Sequence, residues 1–329
     1  MRIPFMLAAV TITSCAVFGQ NDPQSSHPTL TAHPAIPTDW RTAEKGILED
    51  CVQLTFSEKF VKAGESYFSP DDSKIIFQAV EKPKDGAAAD EFYAMFVADV
   101  VRDAKGNITG LSNYKRISPP GSANTCGWFH PTQPNIITFG STVTKPTEST
   151  PPGFQRASNS YRWMFPKEMR IVRCDLTKAD GSPGSLETLV GDGNAYRAED
   201  SFSPDGRHLL YCSLEGNKED GDLYVYDTVT KNTHCIVKAK GYDGGPFFSP
   251  DGKRICYRSD RRGDNNLQLF VADLAFNDNG EIVGIEREYQ LTDDLNVNWC
   301  PFWTHDGRHL VYSTSALGHE NYEIFVCDA

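Results

Sequence analysis

The sequence lacks the short motifs that accompany several common catalytic centres. It has no Gly-x-Ser-x-Gly elbow, no Gly-rich phosphate loop and no His-Glu-x-x-His pair. It also lacks a Cys-x-x-Cys pair, although nine cysteines are present, which argues against zinc-ribbon and thioredoxin-like sites. We therefore expect no catalytic residues, no bound metal and no cofactor, and we interpret the chain as a non-enzyme.

Basic residues are scarce relative to acidic ones. Lys and Arg together number 32 against 44 Asp and Glu, which gives a formal net charge of −12. A nucleic-acid partner requires a basic patch on the protein, so we expect none. Beyond the first twenty residues, no apolar run is long enough to cross a bilayer, and we expect no transmembrane span.

Residues 1–20 have the composition of a secretory signal, with one early Arg, an apolar run and small residues. Two kinds of processing fit this stretch. Residues 17–19 suit cleavage before Gln20, whereas residues 12–15 resemble a lipobox that would place a lipid on Cys15. Both interpretations predict an exported protein, periplasmic or secreted. Residues 21–45 are rich in Pro, Ser and Thr and are typical of a tether, which leaves residues 46–329 as the folded domain.

The folded domain repeats one pattern: an aromatic residue, a tight turn, an apolar strand, a loop and a second apolar strand. Its clearest copy is residues 247–273, where the turn Ser-Pro-Asp-Gly has the residues that a chain reversal requires. Apolar residues then recur at every second position, as in strands with one buried face. The turn aromatics of the five copies are Phe68, Phe129, Phe202, Phe248 and Trp303.

Adding a fourth strand to each copy gives four-stranded antiparallel sheets, and their radial repetition predicts an all-β fold, a β-propeller. We count five blades, and a sixth, degenerate blade stays open as an alternative. The segment Val52–Thr55 resembles the strand before the last copy, residues 289–292. We therefore expect this N-terminal strand to complete the C-terminal blade beside Glu323–Val326 and to close the ring.

The longest connection covers residues 141–167 and is rich in Pro, Ser and Thr. Loops of this length in a compact fold are usually functional or disordered. Its aromatic end, at Tyr161, Trp163 and Phe165, could cover the ring or fill a gap between blades. The sequence leaves the disulfide state of the eight cysteines after Cys15 open.

The repeats resemble the propeller of the TolB family, most closely at residues 248–273 (FSPDGKRICYRSDRRGDNNLQLFVAD). The resemblance implies a WD-repeat-like propeller without the α/β domain that precedes the propeller in TolB itself, and with five blades where TolB-type propellers have six. The repeat architecture, the export signal and the lack of a catalytic constellation lead us to expect a monomeric, protein-binding scaffold in the bacterial cell envelope. Related propellers in oligogalacturonate lyases suggest an alternative, a carbohydrate-active or carbohydrate-binding protein with a site at the channel mouth.

In a propeller, the loops that enter the first strands and those that join the second to the third strands gather at one face. We predict a binding site in these loops, where acids, an Arg pair and aromatic residues meet around the channel mouth. The candidate binding residues are Glu199, Asp200, Tyr242, Asp243, Arg261, Arg262, Asn298, Trp299 and His319.

Overall fold

The computed structural model describes residues 51–84, 86–147, 153–155, 160–162, 164–215, 220–319 and 322–329. The signal, the tether and Cys15 lie outside these residues, as does Trp163. The domain from Asp50 onward is a compact unit of its own. Within the described residues, no helix is long and apolar enough to cross a membrane.

Four sheets contain four antiparallel strands each, and the fifth contains three. Blades 1 and 2 are built from β1 (Phe60–Phe68), β2 (Lys74–Glu81), β3 (Ala94–Arg102) and β4 (Ile108–Arg116), then β5 (Asn124–Phe129), β6 (Ile136–Ser141), β9 (Arg170–Asp175) and β10 (Leu186–Val190). Blade 3 contains β11 (Tyr196–Phe202), β12 (His208–Leu214), β13 (Asp222–Asp227) and β14 (Thr233–Val237). Blades 4 and 5 contain β15 (Asp243–Phe248), β16 (Arg254–Ser259), β17 (Gln268–Phe276) and β18 (Ile282–Gln290), then β19 (Asn298–Trp303), β20 (His309–Thr314) and β21 (Glu323–Asp328). The all-β fold and the five-bladed propeller are confirmed.

The long connection in blade 2 carries a small hairpin of its own, β7 (Gly153–Gln155) paired with β8 (Ser160–Arg162). A single turn of 3₁₀ helix at Pro183–Ser185 precedes β10.

The turn between the first two strands of a blade is held by its own side chains. In blade 4, Ser249 Oγ donates to Asp251 Oδ1 at 2.6 Å, and the backbone N–H of Lys253 donates to the same oxygen at 3.1 Å. These donors lower the pKa of Asp251. Gly252 has φ of 69°, a left-handed conformation that glycine adopts without strain. The Ser-Pro-Asp-Gly repeat is therefore a structural turn, as its sequence predicts.

Every channel-lining strand contains a β-bulge at the same place. The register of β1, β5, β11, β15 and β19 shifts there, three residues before the turn aromatic. The bulged residue has a positive φ in each blade: Glu65, Cys126, Glu199, Gly245 and Cys300. A bulge redirects the side chains on either side of the extra residue, and here it brings five equivalent positions to the cavity at the centre of the blades.

The contact surface between consecutive blades, here called a seam, follows one rule. The turn aromatic of one blade packs against the second and third strands of the blade before it. Trp303 of blade 5, for example, shares an apolar cluster with Cys256 and Val271 of blade 4. Phe129 of blade 2 does the same with Ile76 and Val97 of blade 1. These seams bury the two faces that a single sheet leaves exposed.

The predicted ring closure by Val52–Thr55 is wrong. Residues 51–56 form no strand, and within the described residues β21 pairs with β20 alone. Leu54 instead packs against the apolar cluster of blade 1, and its carbonyl accepts a hydrogen bond from Tyr114 Oη at 3.3 Å. The Gln53 side chain donates to Thr55 O at 2.8 Å. The segment therefore has an apolar site on blade 1, and its amide side chain bonds locally.

The seam between blades 5 and 1 is open. Phe68 is 43% exposed, whereas the equivalent Phe129 is 3% exposed. On the facing blade, Val326 is 58% exposed, whereas the equivalent Val271 is 1% exposed. The residues that seal the other seams are present here, but they do not meet.

Candidate functional site

A cavity of about 630 Å³ lies at the centre of the blades. All five channel-lining strands contribute to it, together with β2, the residues before β3 and the end of the long blade 2 connection. Nine of its lining residues are aromatic, and its charged groups are four carboxylates and the two cations Lys62 and Arg258. Apolar walls with a few charged groups that orient a ligand are the usual composition of a binding site. The aromatic lining residues of this cavity are Tyr67, Phe92, Tyr93, Phe165, Tyr196, Tyr242, Phe247, Trp299 and Phe302.

Glu199 is the centre of the polar network in this cavity. Its carboxylate accepts hydrogen bonds from Tyr242 Oη at 2.6 Å, Tyr196 Oη at 3.1 Å and the backbone N–H of Gly245 at 2.6 Å. Arg258 Nη2 lies 3.1 Å from Glu199 Oε2 and completes a buried ion pair. These contacts fix the position of the Glu199 carboxylate in the cavity wall.

Arg258 is positioned from both sides. Its guanidinium carbon lies 4.0 Å from the centre of the Trp299 ring, a cation–π distance. A Cβ at Gly245 would collide with Arg258 Nη1, so a glycine is required where the guanidinium enters the site. The ion pair with Glu199 and the stacking on Trp299 fix the geometry of blades 3, 4 and 5 around the cavity.

Glu65 and Glu91 are the exposed carboxylates among the residues that line this cavity. Glu65 occupies the bulge position of β1, and Tyr67 Oη donates to it at 3.3 Å. The surrounding protein walls and the charge of Glu199 raise the pKa of Glu65, although Arg258 partly offsets this. Cys126 and Cys300 occupy the equivalent positions of blades 2 and 5, and burial raises the pKa of both thiols.

Asp200 follows Glu199 and is buried in the seam between blades 2 and 3. Burial raises its pKa to about 7, while the nearby hydroxyl of Thr138 acts in the opposite direction. Within the described residues, neither carboxyl oxygen has a partner at hydrogen-bonding distance. Asp200 is therefore a carboxyl group that changes its protonation near neutral pH at the edge of the cavity.

An aromatic cluster lines the cavity beside these carboxylates. Tyr67, Trp128, Phe247 and Phe302 come from equivalent positions of four blades, and their ring centres lie 4.7 to 6.3 Å apart. Blade 3 has Ser201 at this position, and its hydroxyl donates to Pro246 O at 3.0 Å. The cluster gives one side of the cavity an apolar surface.

The end of the long blade 2 connection forms part of the wall. Phe165 lies 4.9 Å from the Tyr196 ring and 5.3 Å from the Tyr242 ring, measured between centres. Phe165 thus lines the cavity beside these two rings. The two roles predicted for this aromatic end, a cover over the ring or a filler between blades, both stay predictions. The side chains of Tyr161 and Trp163 lie outside the described residues.

Four of the nine residues predicted from the sequence line the cavity: Glu199, Asp200, Tyr242 and Trp299. The other five have partners elsewhere. Asp243 and Arg261 belong to a network in blade 4 with Glu288, and Arg262 pairs with Asp293 and Asp264. The remaining two, Asn298 and His319, are hydrogen-bonded to their own surroundings.

Glu65, Tyr93, Cys126 and Arg258 also line the cavity, but they are not among the residues predicted from the sequence. A signal for two of them exists, because Glu65 and Cys126 stand three residues before the turn aromatic, as Glu199 does. Arg258 lies inside β16, whose sequence is typical of a buried core strand. Its local sequence gives no indication that it lines the cavity.

His130, His305 and His319 lie in three different turns and loops. His130 lies in the β5–β6 turn, with its ring 4.6 Å from that of Phe202, and His319 lies at the opposite end of a blade, 3.3 Å from Tyr322 Oη. His305 is in the β19–β20 turn. No group of three or more His, Cys, Asp or Glu side chains suited to a metal ion is present among the described residues. Four carboxylates do line one cavity, those of Glu65, Glu91, Glu199 and Asp200.

Residues 184–328 match the family model described as the TolB β-propeller domain. This part of the chain is therefore similar to the TolB β-propeller domain. The match covers β10 and blades 3 to 5. Solved structures with the same fold include the putative TolB from Agrobacterium tumefaciens, with a TM-score of 0.52, 14% identity, and coverage of 81% of this chain and 77% of that one. The TolB from Acinetobacter baumannii has a TM-score of 0.50 and 20% identity, over 78% of this chain and 50% of that one.

Two curated relatives are similar to shorter stretches of this chain. Dipeptidyl-peptidase 5 of Porphyromonas gingivalis is 34% identical over 111 residues, 31% of this chain and 16% of that protein. The Tol-Pal system protein TolB of Francisella tularensis is 31% identical over 78 residues, 24% of this chain and 18% of that protein. The chain therefore spans less than a fifth of the length of these relatives.

Proposed function

We propose that this propeller is a non-enzymatic binding module of the bacterial cell envelope, exported to the periplasm or beyond, that recognises a segment of a protein partner in its central cavity. The cavity carries the proposal, because it combines aromatic walls with carboxylates that accept N–H and O–H donors. A polypeptide segment offers both apolar side chains and backbone donors. The similarity to a protein named for the Tol-Pal system supports an envelope setting.

The arrangement of polar groups favours binding over catalysis. Glu199 accepts several hydrogen bonds and pairs with Arg258, so both side chains are held in place by contacts within the protein. Burial also raises the pKa of the Cys126 thiol well above its ordinary value, which suppresses the thiolate that a nucleophile requires. Glu65 is an exposed acceptor, and it suits a ligand that donates hydrogen bonds.

Mild crosslinking of bacterial envelope fractions, followed by purification of the propeller, tests the proposal. We expect one reproducible partner with the wild-type chain and at least a tenfold lower recovery with Tyr93→Ala and Glu65→Gln, which alter the cavity. Tyr289→Ala and Glu286→Gln are matched controls, because both residues lie on β18 outside the cavity. Equal recovery with all variants, or no reproducible partner, would contradict the proposal.

The carbohydrate alternative makes a different prediction for the same variants. If the cavity binds a saccharide, titration with oligogalacturonides should show saturable binding, and Tyr93→Ala should abolish that binding. If it is catalytic, shortened oligosaccharides should accumulate. We expect neither result.

A further inference from the structure

Within the described residues, no fourth strand lies on the outer edge of blade 5, whereas each of the other four blades has one. Strand β21 pairs with β20 and, within the described residues, with no other strand. In blades 1 and 4 the equivalent third strands, β3 and β17, each carry a fourth strand along this edge. These complete blades show which backbone groups the free edge of β21 presents to another strand.

One residue of each third strand directs its backbone groups to the fourth strand. In blade 1, Met95 N donates to Ser118 Oγ at 2.9 Å, and Met95 O accepts from Ile117 N at 2.9 Å. In blade 4, Leu269 N donates to Thr292 Oγ1 at 2.9 Å, and Leu269 O accepts from Leu291 N at 2.8 Å. The incoming chain thus presents an apolar residue followed by a hydroxyl residue in both blades.

Ile324 occupies this position in blade 5. It pairs with Ser313 of β20 as Leu269 pairs with Arg258 of β16, so its N–H and C=O face the free edge. Its side chain is 71% exposed. Backbone donors and acceptors spaced along an edge fit one partner structure, an extended β-strand.

The side chains of β21 also require a cover. Ile324, Phe325 and Val326 are consecutive and all exposed. Natural proteins protect apolar edge strands, because free edges pair with other chains. The described residues supply no such protection for β21, so the edge is suited to an occupant.

The charge of Asp328 indicates which kind of side chain a bound strand should carry. Asp328 ends β21, and its side chain is fully exposed. The equivalent Asp273 stands opposite Arg287 in the β17–β18 register and accepts a hydrogen bond from Tyr289 Oη at 3.1 Å. A strand that fits β21 should therefore place a basic or donor side chain opposite Asp328.

We propose that the free edge of β21 binds an extended strand of the partner polypeptide by strand addition, with a basic residue opposite Asp328 and an apolar–Ser/Thr pair at Ile324. This inference rests on the proposed protein-binding function and names the element of the partner that is recognised. A second copy of this chain is a poor occupant at this edge. Strand β21, with the sequence EIFVCD, has acidic residues at both ends and no basic residue, so two copies paired antiparallel would oppose like charges.

The segment Gln53–Thr55 of this chain has the same three residues as Gln290–Thr292, which complete blade 4. It lies on blade 1, where the Tyr114 hydroxyl donates to Leu54 O. Occupation of the edge by this segment is therefore an outcome that the experiment must distinguish.

The probe is a capped peptide with the sequence of residues 285–292, IEREYQLT, labelled with fluorescein and titrated into the full chain. We expect saturable binding that weakens at least tenfold with Asp328→Lys and recovers when the Arg of the peptide is replaced by Glu. Asp278→Lys is the matched control, because Asp278 is exposed in a turn outside the edge, and it should bind like the wild type. Methylation of the peptide backbone nitrogen at its Leu should abolish binding.

Four results would overturn the proposal. Absence of binding to a chain whose thermal unfolding is normal is the first, and binding unaffected by Asp328→Lys is the second. Tighter binding by Leu54→Asp would show that the chain's own segment occupies the edge, and a dimer that Asp328→Lys dissociates would identify a second copy as the occupant. The peptide titration does not involve the cavity, so Tyr93→Ala should leave it unchanged, and failure at the edge stays separable from failure of the cavity proposal.

Discussion

At the seam between blades 4 and 5, Val271 and Trp303 are buried against each other, whereas at the seam between blades 5 and 1 the equivalent Val326 and Phe68 face solvent. The residue types are nearly the same, so composition does not explain the difference. What differs is whether the neighbouring blade covers them. The repeat unit therefore specifies a sheet with two apolar faces, and its stability depends on neighbours that only the ring can supply.

The largest contrast is expected from a charge placed at the same position of two seams. Val271→Asp buries an unpaired carboxylate and should lower the free energy of unfolding by about 4 kcal/mol or more. Val326→Asp should change it by less than about 0.5 kcal/mol, because the residue is already solvated. Urea unfolding followed by tryptophan fluorescence measures both, and similar losses would mean that the two seams are equally closed.

Truncation of the turn aromatic sharpens the same comparison. Phe248→Ala removes a buried ring and should cost about 3–5 kcal/mol, whereas Phe68→Ala should cost less than about 1 kcal/mol, because the ring is exposed. Thermal unfolding of the two variants, with Phe129→Ala as a second buried control, gives the comparison. A cost for Phe68→Ala as large as that for Phe129→Ala would contradict an open seam.

A third contrast concerns the residue two positions before the turn aromatic, which is Asp200 at the seam of blades 2 and 3 and Ser66 at the open seam. The pKa of Asp200 is about 7 in the folded protein and about 3.9 when unfolded. Between these values the folded state binds the extra proton, so stability falls as pH rises from about 4 to about 7. Asp200→Asn should remove a slope of up to about 1.4 kcal/mol per pH unit.

The control for this contrast is Ser66→Asp, which places a carboxyl at the exposed equivalent position and should add no slope. Asp243, whose burial raises its pKa to about 6, leaves a residual slope in every variant. Urea unfolding at pH 4.5, 5.5 and 6.5 separates the two contributions. A slope unchanged by Asp200→Asn would show that this carboxyl is ionised in the folded state.

Much of the architecture could be predicted from the sequence, because turns and alternation are local signals. The Ser-Pro-Asp-Gly turns, the strands after them and the count of five blades all follow from neighbouring residues. The predicted closure by Val52–Thr55 was wrong because a strand pattern in the sequence does not indicate which sheet edge the strand will pair with. Leu54 matches Leu291 in sequence, yet the apolar cluster of blade 1 is its site.

The candidate site was predictable in part for the same reason. Glu199, Asp200 and Trp299 lie in or beside the bulges of the channel-lining strands, and Tyr242 immediately precedes β15. Propeller geometry sends residues at these positions to the axis. Arg261 and Asp243 also lie near these strand ends, but each finds a charged partner within blade 4. Which charged groups pair locally depends on side-chain distances across strands, and periodicity carries no information about them.

Amide hydrogen exchange at Ile324 tests the central claim most directly. In blades 1 and 4 the equivalent amides of Met95 and Leu269 are hydrogen-bonded to the fourth strand. In the free chain, an open edge on β21 predicts that the Ile324 amide exchanges orders of magnitude faster than those two. Protection of Ile324 comparable to that of Leu269 would mean that a strand already covers blade 5, and the account of an open seam with a free edge would fail.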